Sequence, residues 1–235
     1  MLDFIPAKSL KSFFEVFGHF YSIQLNTGRR IDCRSVLEIV ARNKVPTDVD
    51  LLSTQCPDAI FIMMNPGSSK PLEVVDNLVP QDRIGHLEVS LVPTKPDITQ
   101  YQVMRVMHHC GWRHVRVLNL SDVREPKSSE FFKRCREIKA ETGFTAHSIF
   151  SKPRAQELSL YLTLAKAQET PFVCAWGVND HLNLLIEECL KKVPQFGRIG
   201  LLKSETKDKY FHPLPTLQSD KVMWVEKLVA EIGAK

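Results

Sequence analysis

Two asparagines, a histidine and a Gly-Ser-Ser turn carry the side chains in this sequence best suited to reaction chemistry. Asn65 follows the apolar run 59–64 and opens the stretch Asn65-Pro66-Gly67-Ser68-Ser69. Pro66 has no amide donor and Gly67 permits backbone conformations closed to other residues, so the run ends abruptly. A carboxamide at this point either caps the turn or holds a water. Ser68 and Ser69 add hydroxyls and N–H groups that suit a phosphate. Asn119 lies inside Val115-Arg116-Val117-Leu118-Asn119-Leu120, on the side of Val115 and Val117. A buried amide there needs several hydrogen-bond partners, which suits the reading of a ligand's polar edge. His212 stands in Tyr210-Phe211-His212-Pro213-Leu214-Pro215 and is either a site histidine in a loop shaped by prolines or a surface one. Trp176, before Gly177, is core or cleft wall, and Arg124 either meets a phosphate or pairs with Glu125.

The elements that must position these groups follow from hydrophobic periodicity. From residue 58 onward apolar runs alternate with amphipathic stretches. Strands are expected at 59–64, 114–120, 172–176 and 198–202. Helices are expected from Asp97 or Thr99 to about His109, and over 127–141, 153–168 and 182–191, with a last one starting near Ser219. Between them a stretch from 70 to 96 holds Pro71, Pro80, Pro93 and Pro96 and reads as a long loop, a feature commonly functional or mobile. Alternating strands and helices imply βαβ crossovers, hence an α/β fold: a three-layer α/β/α sandwich with a central, mostly parallel sheet. In such a sheet the carboxyl ends of the strands share one rim. Asn65, Gly67, Asn119, Trp176 and His212 should therefore converge in one cleft.

Residues 1–57 read as a leader packed on the main domain at 58–235. Helical spacing predicts helices at 9–17 and 33–42, with a strand at 20–25 and a turn at Asn26-Thr27-Gly28.

Composition narrows the setting. The chain of 235 residues is long enough for one sizeable core, and 25% charged residues are ordinary for a globular protein. No apolar run approaches the ~20 residues of a membrane span, and the first residues lack the pattern of a secretion signal. The six cysteines form no Cys-x-x-Cys pair, which argues against structural zinc and disulfides and for a reducing, cytoplasmic setting. His108, His109 and His114 have no carboxylate at ligand spacing, so no metal is expected, and they read as solvated side chains. No cofactor is implied. A net charge of +4 is compatible with a polyanionic partner without requiring one.

Six short motifs carry a resemblance. Met64-Asn65-Pro66-Gly67-Ser68, Asp97-Ile98-Thr99, Gly111-Trp112, Val117-Leu118-Asn119-Leu120, Ala175-Trp176-Gly177 and His212-Pro213-Leu214 stand in this order. The set resembles an uncharacterised domain family of bacteria and phages with the order NPS, D-x-T, G-[YW], NL, AWG, HPL, over roughly residues 58–215. More distantly it resembles the uracil-DNA glycosylase superfamily, whose fold is an α/β/α sandwich. Asn65-Pro66-Gly67 looks like that superfamily's water-positioning turn, Asn119 like its base-reading asparagine, and His212-Pro213 like the start of its second motif. After His212-Pro213 the chain reads Leu214-Pro215 where that superfamily has a Ser-Pro-Leu wedge.

This resemblance implies a glycosylase-like hydrolase that cuts the N-glycosidic bond of a modified nucleobase in DNA or in a nucleotide. Asn65 and His212 would be catalytic. Asn119, Gly67, Ser68, Ser69, Trp176 and Arg124 would bind the substrate. Two alternatives share the cleft: a non-catalytic nucleotide or modified-DNA binding module, and a hydrolase or transferase of a small phosphorylated metabolite working through Ser68, Ser69 and Arg124. The expected partner is DNA or a nucleotide, and no membrane is expected.

Overall fold

The computed structural model describes residues 2–195 and 197–234. Its strands are β1 (Phe14–Gln24), β2 (Arg30–Ala41), β3 (Ala59–Met63), β4 (Lys70–Pro71), β5 (Leu78–Pro80), β6 (Val92–Lys95), β7 (His114–Asn119), β8 (Phe172–Cys174) and β9 (Arg198–Ile199). Its helices are α1 (Ala7–Phe13), α2 (Ile98–Cys110), α3 (Ser128–Thr142), α4 (Ala155–Ala167), α5 (Asn183–Leu190) and α6 (Gln218–Gly233). The strands form one sheet in the order β4-β6-β1-β2-β7-β3-β8-β9, with β5 alongside β1.

The sheet is mixed, which corrects the expectation of a mostly parallel one. The β7-β3-β8-β9 half is parallel, as βαβ connections require. The other half rests on the β1–β2 hairpin and on antiparallel pairing of β2 with β7 and of β1 and β4 with β6. The long hairpin ladder makes most of the paired residues antiparallel. Residues 14–41, expected to lie against the sheet, are strands within it. The helix expected at 33–42 is the central strand β2. Val36, Leu37, Ile39 and Val40 are buried on two faces, and such a strand shows a continuous apolar run that also fits helical spacing. The helix expected to reach residue 17 stops at Phe13, where β1 begins. The stretch 70–96 is also more structured than a loop, because β4, β5, β6 and a 3-10 turn over Gln81–His86 lie in it.

Side chains of the parallel strands alternate between two cores. Ala59, Phe61, Met63, Val115, Val117, Val173 and Ala175 face α1, α2 and α6. Ile60, Ile62, Leu118, Phe172, Cys174 and Trp176 face α3, α4 and α5. Helices thus cover both faces of the sheet. This period of two is what a sheet with both sides buried demands. Among the described residues no helix is long and apolar enough to cross a membrane. The six cysteines are unpaired with one another.

Two helices are set by their ends. Asp97 caps α2 by accepting from Thr99 N (2.9 Å) and Gln100 N (3.1 Å), while its own N–H donates to Gln100 Oε1 (2.6 Å). That reciprocal capping box satisfies amides that an uncapped helix would leave bare. Gly111 closes α2 in the left-handed region. The α3 helix begins at Ser128 with no side-chain cap, so its positive end lies open beside the strand ends.

Candidate functional site

The carboxyl ends of β3 and β8 and the amino ends of α2 and α3 surround a cleft of ≈ 390 Å³. Asn65, Gly67, Ser68, Trp176 and His212 line it, together with Asp97, Thr99, Ser128, Phe132 and Arg34. Of the five residues expected to converge from topology, Asn65, Gly67, Trp176 and His212 line the cleft and Asn119 does not; Ser68 lines it as well.

Asn65 is locked by its amide nitrogen. Nδ2 donates to Val123 O (3.1 Å) and Glu125 O (2.7 Å), which ties the end of β3 to the segment after β7. Both amide hydrogens are used, so Oδ1 is the group left to accept from a ligand or a water.

Gly67 has φ +63°, and a Cβ there would stand 3.1 Å from a carboxylate oxygen of Asp97. The turn thus needs glycine for its backbone and for its closeness to Asp97. The N–H of Ser68 also donates to the Asp97 carboxylate, which joins the turn to the cap of α2. Burial raises the Asp97 carboxyl above its ordinary value, against the pull of its backbone donors and of Arg34. Asp97, expected to cap a helix and part of the Asp97-Ile98-Thr99 motif, is a cap and a cleft carboxylate at once.

His212 lies in the loop that follows β9, opposite Gly177. Leu214 N–H donates to its Nδ1 (3.2 Å), so the neutral ring carries its proton on Nε2. Burial lowers its pKa to about 4, and the ring is neutral at pH 7. Trp176 is fully buried, donates from Nε1 to Asp208 O (2.9 Å) and meets Tyr210 edge-on, so it is a wall of the cleft.

Three proposed contacts lie outside the lining. Asn119 is wholly buried, and neither its Oδ1 nor its Nδ2 has a partner among the described residues. Its position at the end of β7, registered against Met63, puts it on the α2 side of the sheet and outside the lining of the cleft. Ser69 is buried behind the turn. Arg124 donates from Nη2 to Ser69 O (2.9 Å) and stacks on Phe20, while the neighbouring Glu125 pairs with Arg134 instead. Arg124 therefore braces the turn. His114, expected to be solvated, is buried and bonded to Glu38 (2.8 Å). Among the described residues no cluster of three His, Cys, Asp or Glu side chains could hold a metal.

Sequence reasoning missed Arg34. It is 1% exposed and lines the cleft, on β2 opposite Phe20. Its Nε and Nη1 have no hydrogen-bond partner among the described residues. Burial lowers its pKa to about 10, with Asp97, Arg124 and Asp122 the nearby charges. Reading 33–42 as a strand would have flagged it, because an arginine inside a doubly covered strand is a buried cation.

Comparison with curated proteins and with solved structures finds no match. The span matched by a family model contains Asp97, Trp176 and His212 and begins after the Asn65–Ser69 turn. Residues 90–214, more than half of the chain, match the model described as "Protein of unknown function (DUF1643)", and the chain belongs to that family.

Proposed function

We propose that the cleft is the active site of a glycosylase-like hydrolase, which cuts the N-glycosidic bond of a modified nucleobase in a nucleotide or in DNA. The observation that carries this reading is one cleft lined by a locked carboxamide with a free Oδ1, a neutral histidine with a free Nε2–H, and a carboxylate held above its ordinary pKa. Asn65 Oδ1 accepts from the attacking water and aims its oxygen at the anomeric carbon. The C–N bond breaks, its electron pair stays with the base, and His212 Nε2–H donates to the base oxygen where that charge collects. Asp97 takes the proton that the water loses. A preorganised donor of the His212 kind is worth about 3–4 kcal/mol of barrier, and Asp97 supplies the basicity that a carboxamide lacks. Asn119 has no part in this scheme, because it does not line the cleft. The alternative built on Ser68, Ser69 and Arg124 has less support, since Ser69 and Arg124 stand behind the turn.

The test is release of free base from a panel of modified nucleotides and oligonucleotides. His212→Ala and Asp97→Asn should each slow release by about 10²-fold or more, and asparagine keeps the α2 cap in place. Equal release by wild type and both variants would remove the assigned roles. Binding that weakens with salt, with no release from any substrate, would instead make the protein a binding module.

A further inference from the structure

The orphaned guanidinium of Arg34 sits in the wall of the cleft, and the proposed chemistry leaves it unused. A buried cation with no direct ion pair costs stability, and an anion bound from the cleft offsets that cost. Among the described residues Arg34 enters no ion pair, and its Nε and Nη1 point at no acceptor. The nearest carboxylates, Asp97 and Asp122, favour the Arg34 charge through space without bonding to it directly. Asp97 holds the cap of α2 and the Ser68 amide. Asp122 accepts from Tyr21 (2.7 Å) and from Arg154 through one oxygen. The next charge toward Arg34 is a second cation, Arg124, which also lacks a salt bridge. The uncapped amino end of α3 adds positive potential at Ser128, on the lining of the same cleft.

We propose that Arg34 is the phosphate-binding residue of this cleft and that the ligand carries a phosphate on a small, deeply inserted end. A guanidinium presents a flat fork of N–H donors that matches two oxygens of such a group. Because Arg34 is buried, it reaches a terminal phosphate and not the internal phosphates of a duplex, which stay at the surface. The substrate class is then a nucleoside monophosphate or a strand bearing a terminal phosphate. The phosphate site stands on the geometry of Arg34 alone; only the nucleoside part rests on the proposed function.

Melting temperature and calorimetry of the full chain with inorganic phosphate, a nucleoside, its 5′-monophosphate, and oligonucleotides with and without a 5′-phosphate test this. Phosphate should raise the melting temperature of the wild type in proportion to the logarithm of its concentration. The monophosphate should bind about 10- to 100-fold more tightly than the nucleoside. A 5′-phosphorylated oligonucleotide that outcompetes the mononucleotide identifies a strand end as the source, and the reverse order identifies a free nucleotide. Arg34→Met should abolish the phosphate effect and, in phosphate-free buffer, melt above the wild type, because it removes a buried charge that has no direct partner, at nearly constant volume. Arg34→Lys should keep the charge and lose most of the affinity, because the fork is gone. Arg34→Met melting below the wild type without phosphate, or failing to fold, would make Arg34 a structural residue and overturn the proposal. So would a wild type indifferent to phosphate and monophosphate, or equal phosphate binding by Arg34→Met. Phosphate binding without base release sinks the glycosylase reading and leaves this site standing; base release with no phosphate effect does the reverse.

Discussion

Gly67 shows what one residue contributes to the cleft. Its positive φ and its closeness to Asp97 hold the Asn65 turn against the cap of α2. Gly67→Ala should destabilise the protein by about 1–2 kcal/mol from the left-handed backbone alone, plus the cost of moving the Asp97 carboxylate. Gly28 is a built-in control. It too has a positive φ, but a Cβ there meets nothing within 4 Å. Urea denaturation of Gly28→Ala and Gly67→Ala should give the larger loss at Gly67. Equal losses would mean that the contact with Asp97 does not constrain the turn.

At the scale of elements, the join between the hairpin and the parallel half decides whether the cleft forms. Glu38 on β2 sits opposite Arg116 on β7, and both are fully buried. Arg116 Nε donates to Glu38 Oε1 (2.6 Å), its Nη2 donates to Leu52 O (2.6 Å), and its guanidinium lies over Tyr161. The second carboxylate oxygen of Glu38 bonds His114. Removing one member of a buried pair leaves an uncompensated charge, so Glu38→Ala should cost about 3–5 kcal/mol. The double variant Glu38→Leu with Arg116→Met should cost much less than the sum of the single changes, because no charge is stranded. Additive losses in denaturant titrations would show that the ion pair does not couple β2 to β7.

Across the whole molecule, two buried histidines and the half-buried His212 link folding to pH. Burial lowers His19, His147 and His212 to about 4, with Arg154 adding to the effect on the first two. An unfolded histidine titrates at 6.5, so between about 4 and 6.5 the unfolded chain binds more protons than the native one. Stability contributed by these groups is complete above 6.5 and is lost as the pH falls toward 4. Asp122, which burial raises to about 6, acts in the opposite sense from 3.8 to 6, and Asp97, also raised by burial, acts in the same direction as Asp122, but two carboxyls do not cancel three imidazoles. The melting temperature should therefore fall between pH 6.5 and 4.5, and His147→Gln should flatten that slope. A melting temperature that stays level or rises over this range would contradict the neutral state of these rings.

Local patterns were enough to place β3, α2, β7, α3, α4, α5 and α6, because the two strands are short apolar runs ending at polar residues and the helices are amphipathic stretches between them. They were also enough to bring Asn65, Gly67, Ser68, Trp176 and His212 to one rim, since parallel strands share a direction. Three decisions belonged to tertiary structure alone. Residues 30–41 became a strand because β1 and β7 cover its edges and helices cover its faces, and an apolar run buried on every side has no period to read. Asn119 was left outside the lining of the cleft and Arg34 was turned into the cleft, because a residue's face depends on register with partners distant in sequence. Arg34 therefore reaches the cleft through an antiparallel pairing between distant segments, a long-range choice that leaves no trace in the spacing of nearby residues.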